Sequence, residues 1–198
     1  MKSFMFILVT LFSLYAVQDD NNVSHKEKNS FGIELNPLMV SVGYLSAGVN
    51  YFNDSYEIAV PFTYNQGFDE YLPYNSVEAN IDIHFRKFLK SLDDGLYLGV
   101  FTRLQYYEGK LQDSRDLASI YKLGYGFEAG LRWVNLFGYD SLYYGMSLGM
   151  GRYLGDFNDK LESYSIFFED NHSVLFYNIE LFKIGYMFWE KEMFWGIL

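Results

Sequence analysis

Hydrophobic and polar positions in this chain alternate in steps of two. Residues 121–133 show it most clearly: Tyr121, Leu123, Tyr125, Phe127, Ala129, Leu131 and Trp133 hold one parity, and Lys122, Gly124, Gly126, Glu128, Gly130 and Arg132 hold the other. Successive side chains of a strand point to opposite faces, so the pattern predicts a strand with one apolar, aromatic face and one small or charged face. A soluble sheet buries its apolar face against a second layer. A membrane barrel turns that face to lipid and fills its interior with the polar one.

The same rhythm divides the chain into eight segments, at residues 31–43, 44–52, 56–65, 75–89, 96–107, 119–133, 142–153 and 174–188. The first is interrupted by Asn36-Pro37. Proline has no donor for the ladder, which predicts a bulge or an edge of pairing there. Asn53-Asp54 and residues 91–95 read as turns. In the eighth segment the apolar parity runs through Leu175, Tyr177, Ile179 and Leu181, then shifts to Phe182, Ile184, Tyr186 and Phe188. A one-residue bulge near Leu181 reconciles the two phases.

Connections after the second, fourth and sixth segments are short, and those after the third, fifth and seventh are longer, residues 154–173 most of all. An even strand number with short turns at one end and long loops at the other is the pattern of a membrane barrel. Each segment reads as long enough to cross with tilt, about 9–11 residues. Tyr106, Tyr107, Trp133, Tyr143, Tyr144, Phe188 and Trp189 gather near segment ends, where amphipathic rings favour the headgroup region. The expected fold is therefore all-β: an eight-stranded antiparallel up-and-down transmembrane β-barrel over residues 31–188. Strict parity predicts that Ile81, Ile83, Leu123, Phe127 and Leu131 meet lipid while Asp82, Arg86, Glu128 and Arg132 point inward.

Composition narrows the function. The 198 residues make one domain, and 21% aromatic content with 19 Tyr and 19 Phe suits a lipid-facing surface. A net charge of −10 gives nucleic-acid binding no electrostatic support. The absence of Cys excludes disulfides, thiol catalysis, Cys-ligated metals and a lipid anchor on cysteine. Residues 1–16 read as a signal peptide: Lys2, an apolar run over residues 4–15, and Ala16 before the cleavage point. That run is too short to span a membrane. Residues 17–30 form a polar lead-in, and residues 189–198 a C-terminal tail or strand extension. No second apolar run reaches about 18 residues.

Asn36-Pro37-Leu38, Gly95-Leu96-Tyr97-Leu98-Gly99 and Lys183-Ile184-Gly185-Tyr186-Met187-Phe188 resemble small eight-stranded outer-membrane barrels of Gram-negative bacteria, in the broad OmpA/OmpX-like superfamily. The resemblance covers roughly residues 31–188. It implies export to the outer membrane and contact with outer-membrane lipid and lipopolysaccharide. It also implies a monomer with a structural or surface-interaction role through extracellular loops. The Gly-Tyr-x-Phe ending resembles the signal read by the outer-membrane insertion machinery, although residues 189–198 follow it here.

The polar parity collects Glu34, Glu57, Glu78, Asp82, Glu128 and Glu180 against Arg86, Arg103, Lys122, Arg132 and Lys183. An eight-stranded barrel has an interior just filled by side chains, so these residues predict a polar network in a plugged lumen. Arg86, Arg103 and Arg132 are expected to pair with Glu78, Asp82, Glu128 or Glu180 on neighbouring strands. Gly124, Gly126, Gly130, Gly145, Gly149 and Gly151 are expected to make room for those long side chains. The alternatives are a proton or ion path through a narrow channel for small solutes, a lipid A-modifying barrel enzyme, and a soluble lipocalin-like carrier.

For the enzyme, His172-Ser173 is the candidate pair, but neighbours on a strand point to opposite faces. His25 falls in the lead-in and His84 on the polar parity. No HExxH, P-loop or GxSxG pattern occurs, and neither a cofactor nor a metal is expected. The acids of the longest loop, Asp156, Asp159, Glu162, Glu169 and Asp170, lack EF-hand spacing and read as a solvated surface.

Overall fold

Alternating β-branched and aromatic residues fit a pleated surface, and each alternating run becomes a strand. The computed structural model describes residues 29–53, 55–67, 76–89, 95–110, 117–154 and 175–189. The strands are β1 Ser30–Leu35, β2 Tyr44–Asn53, β3 Tyr56–Gly67, β4 Ser76–Phe88, β5 Gly95–Lys110, β6 Leu117–Leu136, β7 Tyr139–Leu154 and β8 Leu175–Trp189. One short helix, α1 Pro37–Ser41, lies between β1 and β2. Every strand pairs antiparallel with its chain neighbour, and β8 closes on β1. Residues 1–28, with the expected signal peptide and His25, lie outside the described residues, as do residues 155–174, with His172 and Ser173, and residues 190–198.

The register sets the tilt. From Ser30, the Cα partners run Phe52, Glu57, Arg86, Gly99, Glu128, Gly149 and Asn178. Ser30 itself pairs with Trp189 on β8, not with Asn178. A stagger of this kind is what tilts strands and lets a small sheet close.

The first segment departs from expectation. Strand pairing stops at Leu35, the edge of pairing that Pro37 implied, and Asn36-Pro37 then starts a helix. Asn36 caps it, its Oδ1 accepting from the Met39 N–H at 3.1 Å. Pro37 takes the first helical position, where a missing N–H removes nothing that the helix uses. The six residues of β1 are thus fewer than a full crossing needs. Helical backbone bonds are the other way to satisfy polar groups away from water, and α1 uses them where proline ends the ladder.

The slip in the eighth segment is a bulge. Gly145 pairs with Lys183 and Ser147 with Glu180, so two steps on β7 match three on β8. The extra residue falls at Leu181/Phe182. The Tyr144 hydroxyl donates to the Leu181 carbonyl at 2.7 Å, satisfying a bulged peptide group. The β6–β7 turn places Phe137 and Gly138 at φ 56° and 81°, the paired positive values of a primed hairpin turn.

Candidate functional site: the barrel interior

Parity separates two surfaces. Ile81, Ile83, Leu123 and Phe127 stand exposed on the outside, Phe127 at 69%. Asp82, Arg86, Glu128 and Arg132 are buried within. Leu131 is the exception: it keeps the outward parity between Leu96 and Met146 but is only 3% exposed, covered by its neighbours rather than presented to lipid. Aromatic pairs ring the outside near the short turns, among them Phe31–Tyr51, Tyr56–Phe85, Trp133–Tyr144 and Tyr186–Phe188. Tyr106–Tyr121 stands toward the other end.

The closed register brings the charged residues of the polar parity into contact across the lumen. Arg132 Nη2 donates to both oxygens of Glu57, at 2.7 and 2.8 Å. Arg86 Nη1 reaches the same carboxylate at 3.2 Å, and Arg86 Nε donates to Glu128 Oε1 at 2.8 Å. Arg103 grips Asp82 through Nε and Nη2, both at 2.9 Å, and its Nη2 also donates to Asn178 at 3.0 Å. Lys183 bridges Glu34, at 3.6 Å, and Glu180. Asn50 Nδ2 joins the two ends of this web, donating to Glu57 at 2.5 Å and Glu34 at 3.1 Å. Tyr143 and Ser147 complete it with hydroxyl bonds to Glu34 and Glu180.

Glu78 and Lys122 sit apart, nearer the long-loop end. Gln105 connects their levels, donating to Glu78 at 3.0 Å and facing Lys122 in the register. The sequence expectation for partners needs one correction. Arg132 pairs with Glu57, which was not among the four expected carboxylates and lies on β3, across the lumen from β6. Parity places a side chain inside, but reaching across a barrel depends on stagger, which no single strand encodes.

Sequence reasoning also missed the inward aromatics. Phe52, Tyr143 and Met187 form a buried cluster at the short-turn end, and Phe101, Tyr153 and Phe176 form another toward the long-loop end. Each interior arginine lies over a ring. Arg132 has Tyr143 at 4.5 Å, Phe52 at 4.8 Å and Phe88 at 5.1 Å, Arg86 has Tyr97 at 5.1 Å, and Arg103 has Phe176 at 4.8 Å. Such contacts strengthen when desolvated.

These rings, more than the charged chains, fill the space left by inward glycines. A Cβ at Gly130 would run into Tyr97, one at Gly151 into Phe176, and one at Gly185 into Tyr143, while Gly145 does leave room beside Lys183. Tyr97 and Tyr143 are register partners of Gly130 and Gly185, and small–large pairs facing each other are how a narrow barrel is filled.

A cavity of about 10 Å³ is lined by Glu34, Asn36, Ser46, Pro61, Glu180 and Lys183 with Leu35 and Ala47, room for roughly one water. Among the described residues no cluster of His, Asp or Glu could hold a metal.

Apolar side chains outside and a buried ionic network inside are the reverse of a soluble carrier, and they define a small, closed β-barrel with the surface of a membrane protein. The eight-stranded, all-antiparallel architecture is the one that the sequence resemblance implied. Among solved structures, the chain is similar to the N-terminal β-barrel domain of Pseudomonas aeruginosa OprF, with 13% identity and a TM-score of 0.42, over 82% of this chain and 100% of that one. No family model matches the chain, and no curated protein does.

Proposed function

We propose that this protein is an exported barrel of the bacterial outer membrane whose lumen is closed by its own side chains. It acts as a structural or surface-interaction element through its extracellular loops. One observation carries this reading: the ionic web of Glu34, Glu57, Asp82, Arg86, Arg103, Glu128, Arg132, Glu180 and Lys183 packs against two buried clusters, Arg132 over Phe52 and Arg103 over Phe176. Charges so placed are mutually paired, and opening a path would leave some of them unpaired in a low dielectric, at a cost of several kcal/mol. The apolar outer surface supports a lipid environment. A partner set of outer-membrane lipid, lipopolysaccharide and the insertion machinery follows from that location, with a monomer as the working state.

The test is planar-bilayer recording on the refolded protein, together with membrane fractionation of the producing cell. A closed lumen gives no steady conductance, and the protein cofractionates with the outer membrane. Sustained openings of uniform size would favour the narrow-channel alternative instead.

A further inference from the structure

We infer that His84 is carried as an imidazolium and that its charge completes the neutralisation that keeps the mid-barrel interior shut. The second half rests on the closed-lumen reading; the first does not.

The starting point is a count. Among the described residues, the middle of the lumen holds five carboxylates, Glu34, Glu57, Asp82, Glu128 and Glu180, and four fixed cations, Arg86, Arg103, Arg132 and Lys183. Glu78 and Lys122 lie nearer the rim and add one charge of each sign, which leaves the difference unchanged. An uncompensated charge so deeply buried is expensive, so a fifth positive charge is wanted at this level.

His84 stands where it is needed. Its side chain is fully buried and stacks on Phe101, with ring centroids 5.0 Å apart. Nδ1 lies 2.6 Å from Glu128 Oε1. Two acceptors would repel at that distance, so Nδ1 carries a proton. The opposite nitrogen, Nε2, faces Asp82 Oδ2 at 3.5 Å and makes no hydrogen bond. A neutral ring would aim the Nε2 lone pair at that carboxylate, whereas an imidazolium aims an N–H at it. Both ends of the ring therefore select the charged form.

The groups around it come from three strands. Asp82 and Arg86 share β4 with the histidine, Glu128 stands on β6, and Arg103 on β5 acts through Asp82. Arg86 Nη2 is 3.3 Å from His84 Nδ1. Its charge opposes the imidazolium, but both cations lean on Glu128, and Arg86 has Glu57 besides. His84 is a positioning residue in this account: it holds Asp82 and Glu128 apart while neutralising them.

The experiment has two parts. Nitrogen-15 NMR of the folded barrel in detergent micelles at pH 7 reads the ring directly. Two N–H signals for His84 are expected, and one protonated and one bare nitrogen would overturn the assignment. Bilayer recordings then compare the parent, His84→Gln, and the double variant His84→Gln/Glu128→Gln.

The single variant leaves a carboxylate excess and should show cation-selective openings at least several-fold more often than the parent. The double variant, with carboxylates and cations matched again, should return to silence. A His84→Gln barrel as silent as the parent would overturn the neutralising role. Should that variant fail to fold, the ring spectrum of the parent still decides the charge. A parent that conducts steadily would end the closed-lumen reading and the second half of this proposal with it, and leave the spectrum to judge the first.

Discussion

Glu180 and Lys183 are three residues apart on one strand, yet both point into the lumen and touch. In a regular strand, residues at that spacing face opposite sides. The bulge at Leu181/Phe182 removes the conflict, and above and below it the apolar residues of β8 stay outside. The polar partner of the bulge is Tyr144, whose ring also packs edge-on against Phe182 at 5.1 Å.

Deleting Phe182 should therefore be tolerated. It converts the three-residue step into a regular two-residue step and leaves both Glu180 and Lys183 inside. The expected loss is the Tyr144 bond, about 0.5–1.5 kcal/mol, and its ring contact with Phe182, worth about as much again. Deleting Tyr186, where β8 has no bulge, turns one part of the strand inside out and should abolish folding. Heat-modifiable gel migration reads both: a compact fast band for the first, none for the second.

Arg132 serves both oxygens of Glu57 and lies among three aromatic rings. Replacing it with Ala removes the shorter of the two arginine contacts to Glu57, leaving Arg86 and Asn50, and should cost about 3 kcal/mol. Lys should rescue poorly, because an ammonium cannot reproduce the planar fork. The double change Arg132→Met/Glu57→Gln should recover most of the loss. Urea unfolding in micelles measures all three; equal midpoints for Ala and parent would remove this pair from the stability account.

Leu123 and Leu131 share a parity but not an environment: the first is exposed on the outer face, the second buried. Leu131→Ala should leave a cavity and destabilise by about 2–5 kcal/mol. Leu123→Ala should lose far less, since lipid refills the space. Phe127→Arg should cost about 2–4 kcal/mol if it lies near the bilayer midplane. Reversal of the order of the two Leu→Ala effects would show that Leu131 is lipid-facing after all.

Gly185 has the Tyr143 ring where its side chain would be. Gly185→Ala should overpack the site and lower stability by about 1–3 kcal/mol. Combined with Tyr143→Leu, the alanine should cost much less, giving a coupling energy of roughly 0.5–3 kcal/mol. Additive effects would mean that the ring can move aside without strain.

Alternation alone gave away the strand count and the antiparallel order, and it put Asp82, Arg86, Glu128 and Arg132 on the inner face, where they are buried, because a two-residue period is a local property of the strand. It located the β8 bulge too, since the phase slip at Leu181 and Phe182 is written in the residues. It misjudged residues 36–43, where a proline could as well begin a helix as interrupt a strand.

Only the closed sheet decided who meets whom. Glu57 and Arg132 are distant in sequence and lie on strands that never pair; the stagger of the register brings them together across the lumen. The same closure set Tyr97, Tyr143 and Phe176 onto glycines of adjacent strands, and put both His84 nitrogens against carboxylates. It also covered Leu131, whose parity alone says lipid. Alternation fixes the side of the wall on which a residue stands, whereas its neighbours on that side depend on shear and curvature, which are properties of the whole barrel.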